Sequence, residues 1–153
     1  MHSLELKIPP VAQAIIIGAL MVIAAKFLPR IDINPLLQWV SIGLLLLVGM
    51  YFGVAGIVEF RRQKTTVDPR YPGNASELVD TGIYRLSRNP MYVGIALLLV
   101  AIVLYFRSPF LLLGVVVFMA YMTRFQIMPE EAHLSKVFGA KYDDYKSRVR
   151  RWL

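Results

Sequence analysis

Cysteine is absent from all 153 residues. That excludes disulfides, thiolate metal sites and a cysteine nucleophile. Histidine occurs only twice, at His2 and His133, too few for a histidine-rich metal centre, so no metal is expected and His133 reads as a plain surface residue. Acidic side chains are scarce too: 10 Asp and Glu stand against 17 Lys and Arg, a formal charge of +7. A basic balance can mark nucleic-acid binding. In a chain that is 57% hydrophobic with a mean hydropathy of +0.56, anionic headgroups and orientation in a bilayer explain it better, and no nucleic-acid partner is expected. Near the N-terminus no small-residue cleavage site follows a short apolar core, so no signal peptide is expected.

What the chain does have is long apolar runs. They fall at 11–28, 36–60, 91–106 and 110–128, within a length that suits a single domain over 1–153. The reading is an all-α integral membrane protein with about four transmembrane helices. It comprises two N-terminal spans (1–60), a polar loop (61–90), a helical hairpin (91–128) and a C-terminal segment (129–153). The third run, of 16 residues, would be roughly 24 Å long. Ser108 and Pro109 have the form of a helix cap and first helical position. Gly49, Gly53 and Gly56 in the second run are expected to let helices approach closely. Glu59, beside Arg61 and Arg62, reads as a surface ion pair.

Phe138, Tyr142, Tyr145, Val149 and Trp152 recur every three or four residues, with Lys141, Lys146, Arg148, Arg150 and Arg151 opposite them. That pattern predicts an amphipathic helix lying at the membrane interface, with Tyr142 and Tyr145 as anchors. Arg148 and Arg150 are read either as headgroup contacts or as part of a site. Of the 17 Lys and Arg, 14 lie at Lys7, in the 61–88 loop or from Arg124 onward. Both termini are therefore expected in the cytoplasm, with the protein in the inner membrane if the cell is bacterial. The oligomeric state stays open.

Chemistry concentrates in two blocks on that same side. The first is Gly82-Ile-Tyr-Arg-Leu-Ser-Arg-Asn-Pro-Met-Tyr-Val-Gly94. Asn89 has the form of an N-cap and Pro90 of a first helical residue, which puts Arg85 and Arg88 at the positive end of a buried helix. The second is Glu130-Glu131 after Pro129, two carboxylates directly following a membrane span, with Gly139, Tyr142, Tyr145 and Arg150 downstream. An arginine at a helix start is a place to hold an anion.

The two blocks, in this order around a helical hairpin, closely resemble the isoprenylcysteine carboxyl methyltransferase and phospholipid methyltransferase superfamily of integral membrane enzymes. The likeness runs from about Arg61 through Thr65-Thr-Val-Asp-Pro69 to the C-terminus, roughly 60% of the chain. It implies S-adenosylmethionine as methyl donor, held between the hairpin and the C-terminal segment, and a lipophilic membrane-borne acceptor, a carboxylate or an amine. It also implies a cofactor pocket lined by Tyr84, Arg85, Arg88, Asn89, Pro90, Tyr92, Gly94 and Tyr142 and closed by Glu130 and Glu131. Arg88, Asn89 and Glu131 would be the catalytic group. The isoprenylcysteine enzymes usually carry His where this chain has Asn89, which speaks against a prenylcysteine acceptor. The alternative is an NADPH-dependent membrane reductase of the steroid-reductase type, which resembles the superfamily in its C-terminal part.

Overall fold

A computed structural model describes residues 8–63 and 78–153. Lys7, the Thr65–Pro69 stretch and most of the polar loop lie outside the described residues. Every regular element among those described is helical: α1 (Pro10–Ala24), α2 (Pro35–Arg62), α3 (Pro90–Phe106), α4 (Leu112–Tyr121), α5 (Met128–Phe138) and α6 (Ala140–Arg148).

Prolines set the starts. Pro10, Pro35 and Pro90 each occupy the first helical position, where a missing N–H costs nothing. Asn34 caps α2 through its side chain, accepting from the Leu37 N–H at 3.2 Å. α1 is shorter than its apolar run, because residues 25–27 turn away toward the next helix.

The second half of the hairpin departs from its expected form. The 3₁₀ turn Pro109–Leu111, α4, the π turn Met122–Ile127 and α5 follow one another without a break, making one rod over Pro109–Phe138. The apolar run was expected to end at 128, before Pro129. Proline removes one helical donor, and the wider π turn just upstream absorbs the lost bond, so the helix passes through Pro129 instead of ending there. The expected cap at Ser108 is absent: its side chain caps nothing and its Oγ is buried without a partner. The turn is made instead by Arg107, which adopts a left-handed φ of 57°.

Two of these helical rods, Pro35–Arg62 and Pro109–Phe138, are long and apolar enough to cross a membrane; α1 and α3 are apolar but shorter. α2 packs along α3, while α1 lies against α3 and α4. The two short connections meet at one end, where the Ile31 N–H donates to the Arg107 carbonyl at 2.8 Å. Buried Gln38 ties α2 to the same end, donating to the Leu104 carbonyl at 2.9 Å.

Gly94 permits the α2–α3 crossing. A Cβ there would sit 2.6 Å from the Gly49 carbonyl oxygen and 3.1 Å from the Gly53 nitrogen, so the glycine expectation for α2 is met by direct backbone approach.

Two apolar cores result. One joins α1, α3, α4 and the π turn through Met21, Tyr92, Leu99, Val115, Phe118 and Met122. The other gathers Phe52, Ile83, Tyr84, Val93, Tyr142 and Tyr145. The periodic face of the tail is thus real, but protein covers it: Tyr142 and Tyr145 are 1% and 3% exposed, not interfacial anchors. The tail is also not one helix. Gly139, at φ 52°, breaks α5 from α6, and the chain leaves α6 in extended form at Val149.

Candidate active site

The end of the molecule opposite the short turns carries the charged residues of both blocks. It is built from the segment entering α3, the rod around the π turn, and the last five residues.

The 3₁₀ turn Gly82–Arg85 comes first. Gly82 is required there: its φ is 56°, and a Cβ would lie 2.6 Å from Glu59 Oε2. Glu59 accepts a short hydrogen bond from the Thr81 hydroxyl, and Gln63 Nε2 donates to Thr81 Oγ1 at 2.8 Å. So the Glu59 carboxylate packs on this turn and does not simply pair with Arg61 or Arg62. The turn holds Tyr84 in the core, edge-on to Phe60 with ring centroids 5.4 Å apart. The Tyr84 carbonyl accepts from the Tyr145 hydroxyl at 2.8 Å. Burial pushes the Tyr84 phenol well above its ordinary range, with Tyr145, Glu130 and Glu59 adding to the rise. Arg85, the last residue of the turn, is exposed.

Ser87, Arg88 and Asn89 then run beside the C-terminal residues. The Arg88 N–H donates to the Arg150 carbonyl at 2.9 Å. Asn89 Nδ2 and Ser87 Oγ both donate to the Arg151 carbonyl, at 2.9 and 3.3 Å. Asn89 begins α3 as expected, since its carbonyl accepts from Tyr92 and Val93. Its side chain, however, caps nothing and holds the tail instead.

Arg88 reaches Glu131 at 2.9 Å through Nη2 and donates to the Lys146 carbonyl at 3.3 Å through Nη1; its Nε is buried with no partner. Arg151 forks onto the same carboxylate, Nη2 to Oε2 at 2.7 Å and Nε to Oε1 at 3.0 Å. The carboxylate hydrogen bond pushes the Arg151 guanidinium further up, partly offset by burial. Glu131 is thus gripped by two guanidiniums.

Its neighbour Glu130 is half-buried and turned toward α3. The Tyr92 hydroxyl donates to Glu130 Oε1 at 3.0 Å, and Gln126 Nε2 donates to the same oxygen. Tyr142 closes the group from α6, its phenol pushed up by burial and further by Glu131, while Arg88 and Arg151 pull it back. Trp152 pins the tail to the π turn by donating to Thr123 Oγ1 at 3.2 Å.

Most of the sequence candidates therefore converge: Tyr84, Arg88, Asn89, Pro90, Tyr92, Glu130, Glu131 and Tyr142 share one end. Gly94 faces α2. Arg148 pairs with Asp144 at 2.6 Å on the exposed surface. His133 is half-buried, with Nε2 enclosed and unpartnered, so it is no plain surface residue. Sequence reasoning passed over Ser87, Gln126 and Arg151. Gln126 carried a usable signal, being a polar residue inside an apolar run, four positions before Glu130.

Two apolar rods of membrane-crossing length with a buried charged centre at one end have the form of a membrane protein that carries a functional site. The phospholipid methyltransferase family model matches residues 38–141, more than half of the chain, and the chain belongs to that family. The match takes in α2, which the motifs alone left out, and stops just before Tyr142. An uncharacterised protein of Haemophilus influenzae is 41% identical over 63 residues, which is 41% of this chain and the whole of that one. No solved structure matches.

Proposed function

We propose that this chain transfers the methyl group of S-adenosylmethionine to a lipophilic acceptor held in the bilayer, at the cytoplasmic face. In this reading all four apolar rods cross the membrane, both termini are cytoplasmic, and a bacterial cell would hold the protein in its inner membrane. The observation that carries it is the Arg88–Glu131–Arg151 cluster at the start of α3, with Arg88 Nε enclosed and unpartnered.

That donor set fits a zwitterionic amino-acid end. Arg88 and the start of α3 at Pro90 would take the carboxylate, and Glu131 the ammonium. Asn89 and Arg85 would flank that end, and Gly94 would keep α3 close to α2 behind it. Tyr84, Tyr92 and Tyr142 offer aromatic faces, and Glu130 a carboxylate, to an adenine and a sulfonium. S-adenosylmethionine supplies an electrophilic methyl group on sulfur when bound. The residues around it need only align the partners and exclude water, since displacement at carbon is governed by approach and desolvation. Burial of Tyr92 and Tyr142, with Glu130 half-buried and bonded to Tyr92, suits that task.

The test is a thermal-shift titration of the detergent-solubilised protein with S-adenosylhomocysteine and, beside it, NADPH. A ligand that binds only the folded state raises the melting temperature by mass action. Stabilisation by S-adenosylhomocysteine alone is the expected result. A response to NADPH with none to S-adenosylhomocysteine would replace this reading by the reductase.

A further inference from the structure

Gln126 is only 1% exposed, although it sits inside an apolar run. Its companions in the π turn, Met122 and Ile127, are fully buried in the first apolar core. A carboxamide placed there is unfavourable unless its polar atoms are used, and leucine would fill the same space without that cost. A π turn is also a local form that recurs at functional sites.

The amide is used on Glu130. Gln126 Nε2 donates to Glu130 Oε1, and the Tyr92 hydroxyl of α3 donates to that same oxygen at 3.0 Å. Neither donor reaches Oε2. Two donors from two elements on one oxygen fix the direction of the carboxylate and leave its second oxygen for another partner.

Glu130 and Glu131 are consecutive, about 3.8 Å apart at Cα, yet they turn to different neighbours. Glu131 goes to Arg88 and Arg151, Glu130 to Tyr92 and Gln126. S-adenosylmethionine carries two cations, an ammonium and a sulfonium, separated by three carbons. Two carboxylates one residue apart match them.

We infer that Gln126 is a positioning residue: with Tyr92 it holds Glu130 so that Oε2 faces the sulfonium, and the site thereby tells charged donor from neutral product. Loss of the methyl leaves the electron pair of the broken bond on sulfur, which becomes an uncharged thioether. A fixed carboxylate therefore favours loading of donor and release of product. The inference rests on the methyltransferase reading and is independent of which acceptor takes the methyl.

Calorimetric titration of the full-length protein in detergent, with S-adenosylhomocysteine and with sinefungin, tests it. Sinefungin has an amine-bearing carbon in place of the methylsulfonium, so it is cationic there and gives no methyl away. The two ligands share their adenosine and amino-acid ends, so a general loosening of the site weakens both alike and leaves their affinity ratio unchanged. Wild type should bind sinefungin about tenfold more tightly, the scale of one partly buried contact between opposite charges. Glu130→Gln keeps an oxygen for both donors and should bring the ratio near one. Gln126→Leu should lower the ratio at least about threefold. The double variant should match Glu130→Gln alone, because Gln126 acts only through that carboxylate.

A wild-type ratio near one, a ratio that survives Glu130→Gln, or one that Gln126→Leu leaves unchanged overturns the inference. Should Gln126→Leu fail to fold, Tyr92→Phe removes the other donor to Oε1, and an unchanged ratio there overturns it equally. Equal binding of both ligands by wild type defeats this inference alone; binding of neither defeats the donor reading with it.

Discussion

Arg88 and Glu131 form an ion pair 2.9 Å long whose side chains are only 9% and 12% exposed, joining the entry of α3 to the rod beyond the π turn. Removing one member of such a pair strands the other. Glu131→Gln leaves the Arg88 and Arg151 guanidiniums facing each other without a carboxylate. We expect a loss of about 3 kcal/mol of stability. Arg88→Lys keeps the charge, yet one ammonium cannot reproduce the fork that meets both Glu131 and the Lys146 carbonyl. A smaller loss of about 1.5 kcal/mol is expected. Equilibrium unfolding in detergent measures both, and S-adenosylhomocysteine should stabilise each variant less than wild type.

The glycines of the α2–α3 contact should differ sharply on substitution by alanine. At Gly94 the added methyl would meet the Gly49 carbonyl and the Gly53 nitrogen, backbone atoms on a neighbouring helix that cannot step aside. At Gly56 it would meet Met91 Cγ at 2.7 Å, a flexible side chain that can turn away. At Gly53 and Gly43 nothing lies within 4 Å. The expected order is a cost of about 2–3 kcal/mol or more for Gly94→Ala, a smaller cost for Gly56→Ala, and no loss for Gly53→Ala or Gly43→Ala. Melting temperatures of the four variants decide it. Equal tolerance at Gly94 and Gly53 would contradict the crossing.

How much of this could be read beforehand differs from residue to residue. Pro10, Pro35 and Pro90 mark helix starts by local chemistry alone, so α1, α2 and α3 begin within a residue of the apolar runs. Pro129 carries the same local signal and misleads, because a π turn upstream absorbs the missing donor and the rod continues. Periodicity identified the face of Tyr142 and Tyr145 correctly. It says nothing of what covers a face, and the cover is the Tyr84 turn and α3, not lipid. Asn89 and Ser108 look alike as caps on paper. One side chain is drawn off by the Arg151 carbonyl, 62 residues away, and the other is enclosed without a partner. Long-range partners of this kind have no local signature. The role of Arg151 is the clearest instance, since it sits among several cations and only the fold places it on Glu131.

Alkaline pH should loosen the C-terminal segment. Burial raises the Tyr145 and Tyr142 phenols far above the ordinary value of 10.0. The folded state therefore holds their protons where the unfolded chain has begun to lose them. The stabilising contribution is complete below pH 10 and is lost as pH rises through and beyond that value. Stability measured from pH 8 to 11 should be flat and then fall. Tyr145→Phe should lower the plateau by about 1 kcal/mol, for the lost bond to the Tyr84 carbonyl, and should make the fall above pH 10 shallower. An unchanged slope in that variant would mean that Tyr145 ionises freely in the folded protein.

The last four residues should matter to ligand binding far more than to helix content. Arg150 and Arg151 give their carbonyls to Arg88, Asn89 and Ser87, Arg151 gives its guanidinium to Glu131, and Trp152 closes on Thr123. No helix depends on them, because α6 ends at Arg148. Deleting residues 150–153 should leave the circular-dichroism helix signal intact while uncovering Arg88 and Glu131 to water, where their attraction for a charged ligand is screened. S-adenosylhomocysteine should then bind at least about tenfold more weakly, equivalent to ~1.4 kcal/mol. Trp152→Phe removes one hydrogen bond but keeps an aromatic ring in both apolar cores, so its loss should be a fraction of that. A truncated protein that binds as tightly as the full chain would show that the tail is only packed against the site and does not close it.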